Sequence, residues 1–190
     1  MGALEPVDLP ETPLIIGDRW PQPDETAYAR EAATQRSCAQ AMCAAADHTH
    51  TAVSYTHPEF RGAAGGALGT LLGDRHQAHT DDETRHNNIA GWLELASTNI
   101  AEAKNAMNTT TVEYHRAYAD SERCAVEETW SQQQLAGVKT ALVQNAQARI
   151  GEIRAAFDAS HATIAAGIAA ACVPAAPEEM KVYRTSSTLA

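Results

Sequence analysis

The run "DRHQAHTDDETRHNN", residues 74–88, is the part of the chain richest in side chains that can bind metal. His76, His79, Glu83 and His86 follow at steps of three, four and three. On a helix they share one face. Three imidazoles and a carboxylate in line suit zinc or iron, and Glu83-Thr-Arg-His86 has the ExxH spacing of ferritin-like di-iron bundles. Such a centre needs a second ExxH and further inward glutamates, and no other segment supplies a second copy. His48 and His50 could approach across a hairpin, but Asp47, Asp81 and Asp82 read as a solvated face. The expectation is therefore no metal and no cofactor. A metal-binding helical bundle using this stripe is the alternative.

Nucleophilic chemistry finds less footing. Cys38, Cys43, Cys124 and Cys172 are scattered and form no CxxC pair, unlike a zinc site or a disulfide scaffold. They are expected as buried free thiols, with a Cys124–Cys172 bridge left open. Nothing in the chain resembles an oxyanion hole or a nucleophile elbow, and no lysine follows the glycines of "RGAAGGALGTLLG" as a P-loop requires. His115 and His161 read as ordinary surface or core histidines. The chain is not expected to be an enzyme.

The elements that carry these residues are read from composition and period. The chain has 190 residues, 44% hydrophobic and only 5% aromatic, with alanine abundant. Thin side chains on closely packed helices fit that balance, and no alternating valine, isoleucine and threonine runs suggest a sheet. A net charge of −10 disfavours nucleic acid and anionic membranes, which need clustered cations. No apolar run has the length of a membrane span, and the first residues lack a basic leader, so no cleaved signal peptide is expected.

Prolines 6, 10, 13, 21 and 23 predict an extended N-terminal segment over residues 1–23, lying along the surface of the body. A helical domain is expected over 24–173. Its first helix follows Asp24 and Glu25, whose charges favour a helix N-terminus, and carries Tyr28, Ala32, Ala39, Met42, Ala46 and Val53 at helical spacing. Pro58 ends it. A second stripe runs through Ile89, Leu93, Ala96, Ile100, Ala103, Met107, Thr111, Tyr114 and Tyr118. A third runs from Leu135 through Ala146, Ile150, Ile153, Phe157 and Ile164 to Ile168. Residues 174–190 are expected to be a tail or linker. The fold class is thus all-α, an elongated bundle of long antiparallel helices. Gly62, Gly65, Gly66 and Gly69, just past the Pro58 turn, are expected where a helix or a partner comes close.

Three motifs in order resemble the substrates of type VII (ESX) secretion. "FRG" at residues 60–62, followed by "AAGGAL", resembles the WXG turn of their helical hairpins, with Phe60 in the aromatic position and Gly62 as the glycine. "WPQPDETAY", from Trp20 to Tyr28, is similar to the tryptophan, acidic pair and helix start of many actinobacterial ESX-associated proteins. Tyr118-Ala-Asp-Ser-Glu122 fits the YxxxD/E secretion signal that follows the hairpin. The likeness covers roughly residues 18–122, and the third helix extends it toward longer PPE-type proteins.

The resemblance implies a WXG- or PPE-like helical hairpin extended by a third long helix, acting through protein–protein recognition. It implies as partners a helical ESX family member, a cytosolic secretion chaperone and the ESX ATPase, with Tyr118 and Glu122 as the secretion signal. Trp20, Gly65, Gly66 and Trp92 are candidate partner contacts. Export to the medium or envelope through type VII secretion is implied, from a cytoplasmic pool, either as a whole protein or as the targeting domain of a larger effector. A generic helical adaptor, in which the tyrosine motif is accidental, stands beside this expectation.

Overall fold

The computed structural model describes residues 2–56, 62–170 and 172–177. Among them the fold is an all-α helical bundle without strands. A short helix α1 (Thr12–Ile16) runs into a 3-10 turn (Gly17–Arg19), followed by α2 (Glu25–Thr56), α3 (Ala63–Glu127) and α4 (Gln132–Ala169). The Pro58 turn and Phe60 lie outside the described residues.

Local chemistry sets the helix starts. The Asp24 carboxylate accepts hydrogen bonds from the Thr26 N–H (2.8 Å) and hydroxyl (2.7 Å), capping the first turn of α2. Ser131-x-x-Gln134 is a capping box at α4. The Gln134 N–H donates to the Ser131 hydroxyl (3.2 Å), and the Ser131 N–H donates back to the Gln134 amide oxygen (2.8 Å). The turn between α3 and α4 contains no glycine and places Thr129 at φ 55°. Gly62 precedes α3 with φ 81°, a conformation that strains any residue with a Cβ, and its carbonyl accepts the first α3 hydrogen bond, from Gly66.

The contacts divide the chain into two compact units. One comprises the described residues up to Thr26 together with Ala96–Thr163. Its buried side chains include Ile15, Ile16 and Trp20, Ile100, Met107 and Tyr114 of α3, and Ile150, Ile153 and Phe157 of α4. Each such side chain contributes about 1.5–3 kcal/mol when fully buried. The two helices run antiparallel there: Arg149 bonds Glu113 at 2.7 Å, while the Asn99 amide donates to the carbonyl of Phe157, further along α4. The other unit comprises Ala27–Leu95 and the described residues from Ile164 onward. There α2 and α3 are antiparallel, since His76 meets the Ala46 carbonyl while Arg36 pairs with Glu94 through two hydrogen bonds of 2.9 Å. Ala32, Ala39 and Ala46 form the buried face of α2.

Three expectations need correction. The proline-rich segment is not extended throughout, because Pro13 sits in the first turn of α1, where its missing N–H costs nothing. Nor does it merely lie on the surface, since Ile15 and Ile16 are buried. The tail or linker expected from residue 174 starts out tied to α3, since the Trp92 indole donates to the Pro174 carbonyl (2.9 Å), next to a bond from the Asn88 amide to the Val173 carbonyl (2.8 Å).

The third concerns glycine. A Cβ built on Gly66 or Gly69 meets no atom within 4 Å, so no described part of the chain itself comes close to either position. The tightest contact falls at Gly167, where a Cβ would stand 2.4 Å from Trp92 Cζ2.

The first of these units also encloses an ion pair. Lys104 and Glu25 lie 2.8 Å apart with side chains 3% and 9% exposed. The Leu4 N–H donates to the same carboxylate, and the Lys104 ammonium lies 5.8 Å from the Trp20 ring centre. Burial pushes the Glu25 carboxyl up, but the Lys104 and Leu4 hydrogen bonds outweigh it and leave it below the usual carboxylate value. The negative charge expected to serve the helix dipole instead ties the N-terminal segment to α3.

Candidate functional site

Tyr118 continues the buried stripe of α3, one turn beyond the fully buried Tyr114, and is itself half-buried. The two rings are parallel, 2° apart with centroids at 6.2 Å. Glu122, one turn further along the helix, is exposed, and its carboxylate acts on the Tyr118 phenol. Burial raises the phenol above its ordinary pKa, and the carboxylate of Glu122 raises it further by disfavouring a second negative charge. Tyr118 is therefore neutral across physiological pH and lies half-buried one turn from an exposed carboxylate.

Two further groups complete the site. The Lys139 ammonium of α4 lies 4.9 Å from the Tyr118 ring centre, within cation–π range. Glu11, preceding α1, accepts a 2.7 Å hydrogen bond from Lys139, and its other oxygen lies 3.5 Å from His115 Nε2. The Lys139 hydrogen bond holds the Glu11 carboxyl below its usual value and, reciprocally, the Lys139 ammonium above its own. The Tyr114 hydroxyl is buried without a hydrogen-bond partner among the described residues. Sequence reading found Tyr118 and Glu122 but missed Glu11 and Lys139. Only the fold joins residues so far apart in the chain.

The other candidate residues are dispersed. Trp20 and Trp92 are buried, Trp20 against Lys104 and Trp92 against Gly167 with its N–H on Pro174. Each is buried in the core of its own unit. Gly62, Gly65 and Gly66 lie at the start of α3, and Phe60 falls outside the described residues.

The histidine stripe does not converge. His76 Nδ1 meets the Ala46 carbonyl at 3.1 Å, and its ring lies 5.7 Å from that of His50. His86 Nδ1 meets the Gln35 amide oxygen at 2.7 Å, and the charge of the Glu83 carboxylate pushes the Cys43 thiol up. Among the described residues no three histidine, cysteine, aspartate or glutamate side chains are grouped to hold a metal. All four cysteines are free, as expected, but none is buried: Cys38 is half-exposed and the other three are exposed. Small helical faces packed by alanine leave the thiols outside. No described helix is long and apolar enough to cross a membrane.

Compared with known proteins, the chain matches no family model, no curated protein and no solved structure.

Proposed function

We propose that the chain is a type VII (ESX) secretion substrate or secretion-associated protein, or the targeting domain of a larger effector, that works by protein–protein recognition without catalysis. The observation that carries this reading is the Tyr118–Glu122 pair. A half-buried aromatic and an exposed carboxylate stand one turn apart near the end of α3, downstream of an antiparallel helix pair, and a single receptor surface can engage both. Order along the chain adds support: acidic helix start, glycine-containing turn, then tyrosine signal. The recognising partner is the secretion ATPase, with a helical ESX family partner and a cytosolic chaperone engaging other surfaces. The protein is cytoplasmic before export and reaches the envelope or medium afterwards, in an actinobacterial host.

The test is export. In a host with an intact ESX system, Tyr118→Ala is expected to abolish appearance in the medium while the cytosolic protein stays folded, since aromatic anchors commonly carry about 2 kcal/mol or more of recognition. Glu122→Gln should weaken export less, because it keeps the side chain's size and removes only its charge. Equal secretion of wild type and Tyr118→Ala, or secretion that persists without the ATPase, would leave the generic helical adaptor as the better account.

A further inference from the structure

We infer that Glu11 and Lys139 are positioning residues for Tyr118, through which the N-terminal segment holds the tyrosine ring in a single orientation. The inference extends the proposed recognition role of Tyr118, but its geometry stands apart from any secretion apparatus.

The chain of support begins in the core. Ile15 and Ile16 are fully or almost fully buried, and the Gln147 amide donates to the Leu14 carbonyl at 2.8 Å, so the segment around α1 is fixed to its unit. Glu11 stands at the head of α1, where its side chain makes no capping hydrogen bond to that helix. Its carboxylate turns instead to Lys139 at 2.7 Å and His115 at 3.5 Å. Lys139 is 38% exposed. A lysine that open ordinarily samples many rotamers, and a fixed carboxylate is what confines it. Confined, its ammonium lies 4.9 Å from the Tyr118 ring centre, while Tyr114 stacks parallel to the ring. Tyr118 is thus restrained by its own helix and by α4, and the restraint from α4 depends on a residue of the N-terminal segment. A partner that reads the Tyr118–Glu122 pair meets it already ordered and does not bear the entropy of ordering it.

Nitration of the phenol ring by tetranitromethane, after the thiols are blocked, measures how open Tyr118 is. Tyr55, 78% exposed, serves as the internal reference in peptide mass spectrometry. Glu11→Ala, which removes no helix cap, and Lys139→Met, which keeps the apolar stem, are each expected to raise the Tyr118-to-Tyr55 nitration ratio several-fold at unchanged helicity. Lys139→Arg retains the charge over the ring and the reach to Glu11 and should stay at the wild-type ratio. A wild-type ratio in folded Glu11→Ala or folded Lys139→Met overturns the positioning role. Raised nitration in Glu11→Ala together with full export of Tyr118→Ala upholds the positioning and sinks only the recognition reading.

Discussion

Replacing glycine by alanine should have opposite effects at two places in this protein, and the geometry sets both signs. Within a helix the change gains about 1 kcal/mol of intrinsic propensity wherever the methyl has room. Gly69 has that room, because nothing lies within 4 Å of a Cβ there. At Gly167 the new Cβ would sit 2.4, 2.5 and 2.8 Å from Trp92 Cζ2, Cε2 and Cη2. These atoms belong to a rigid indole that is 5% exposed and anchored by its N–H to the Pro174 carbonyl at 2.9 Å. Overpacking of this kind costs about 1–3 kcal/mol, and an indole that turns away also loses a hydrogen bond of about 1 kcal/mol. Setting the propensity gain against these costs leaves Gly167→Ala destabilised by about 1–3 kcal/mol and Gly69→Ala stabilised by up to about 1 kcal/mol. Thermal and urea unfolding followed by circular dichroism, with Trp92 fluorescence reporting on the indole, measures both. A Gly167→Ala protein as stable as wild type, with unchanged fluorescence, would refute the packing argument.

Lys104→Met should destabilise the protein by about 3–5 kcal/mol in urea titration, because the Glu25 carboxylate stays buried without its cation, and a loss below about 1 kcal/mol would contradict this. Glu11 and Glu25 both have carboxyl groups depressed below the ordinary value of 4.5, so the stability they supply is complete above that value and is lost as pH falls through their lower folded-state values. The melting temperature should accordingly drop as pH is lowered below about 4.5, less so in Glu25→Gln, and a flat profile into strong acid would count against the assignment. Cys43 has a thiol pushed up chiefly by the neighbouring Glu83 carboxylate, so Glu83→Gln should speed its alkylation by iodoacetamide at mildly alkaline pH, and an unchanged rate would dissociate the pair.

Much of the helical architecture was legible from local signals. Alanine-rich composition, the three apolar stripes and the placement of prolines predict the long helices, and Leu93, Ala96, Ile100, Met107 and Tyr114 of the second stripe are indeed buried. These succeed because helix period and proline stereochemistry act within a few residues. The tyrosine and glutamate one turn apart are legible for the same reason. The capping box at Ser131 was there to be read as S-x-x-Q, and only the glycine-free turn before it obscured the boundary.

Tertiary structure alone decided which of the conspicuous residues matter to packing and which face outward. Three histidines and a glutamate share a face by sequence, yet His76 meets a carbonyl of α2, His86 a glutamine and Glu83 a cysteine, because the partners come from another helix. Trp20 and Trp92 read as possible anchors but are buried beside Lys104 and Gly167, and Gly66 and Gly69 near the start of α3 have more room around them than Gly167 of α4. Glu25 looked like a helix-dipole charge and is half of a buried ion pair. Glu11 lies in a stretch of prolines with no periodic signal and reaches Lys139 more than a hundred residues away. A sequence records the side chains and their local spacing. Desolvation, steric contact and charge pairing are properties of what the folded chain brings alongside them, and those neighbours are distant in sequence.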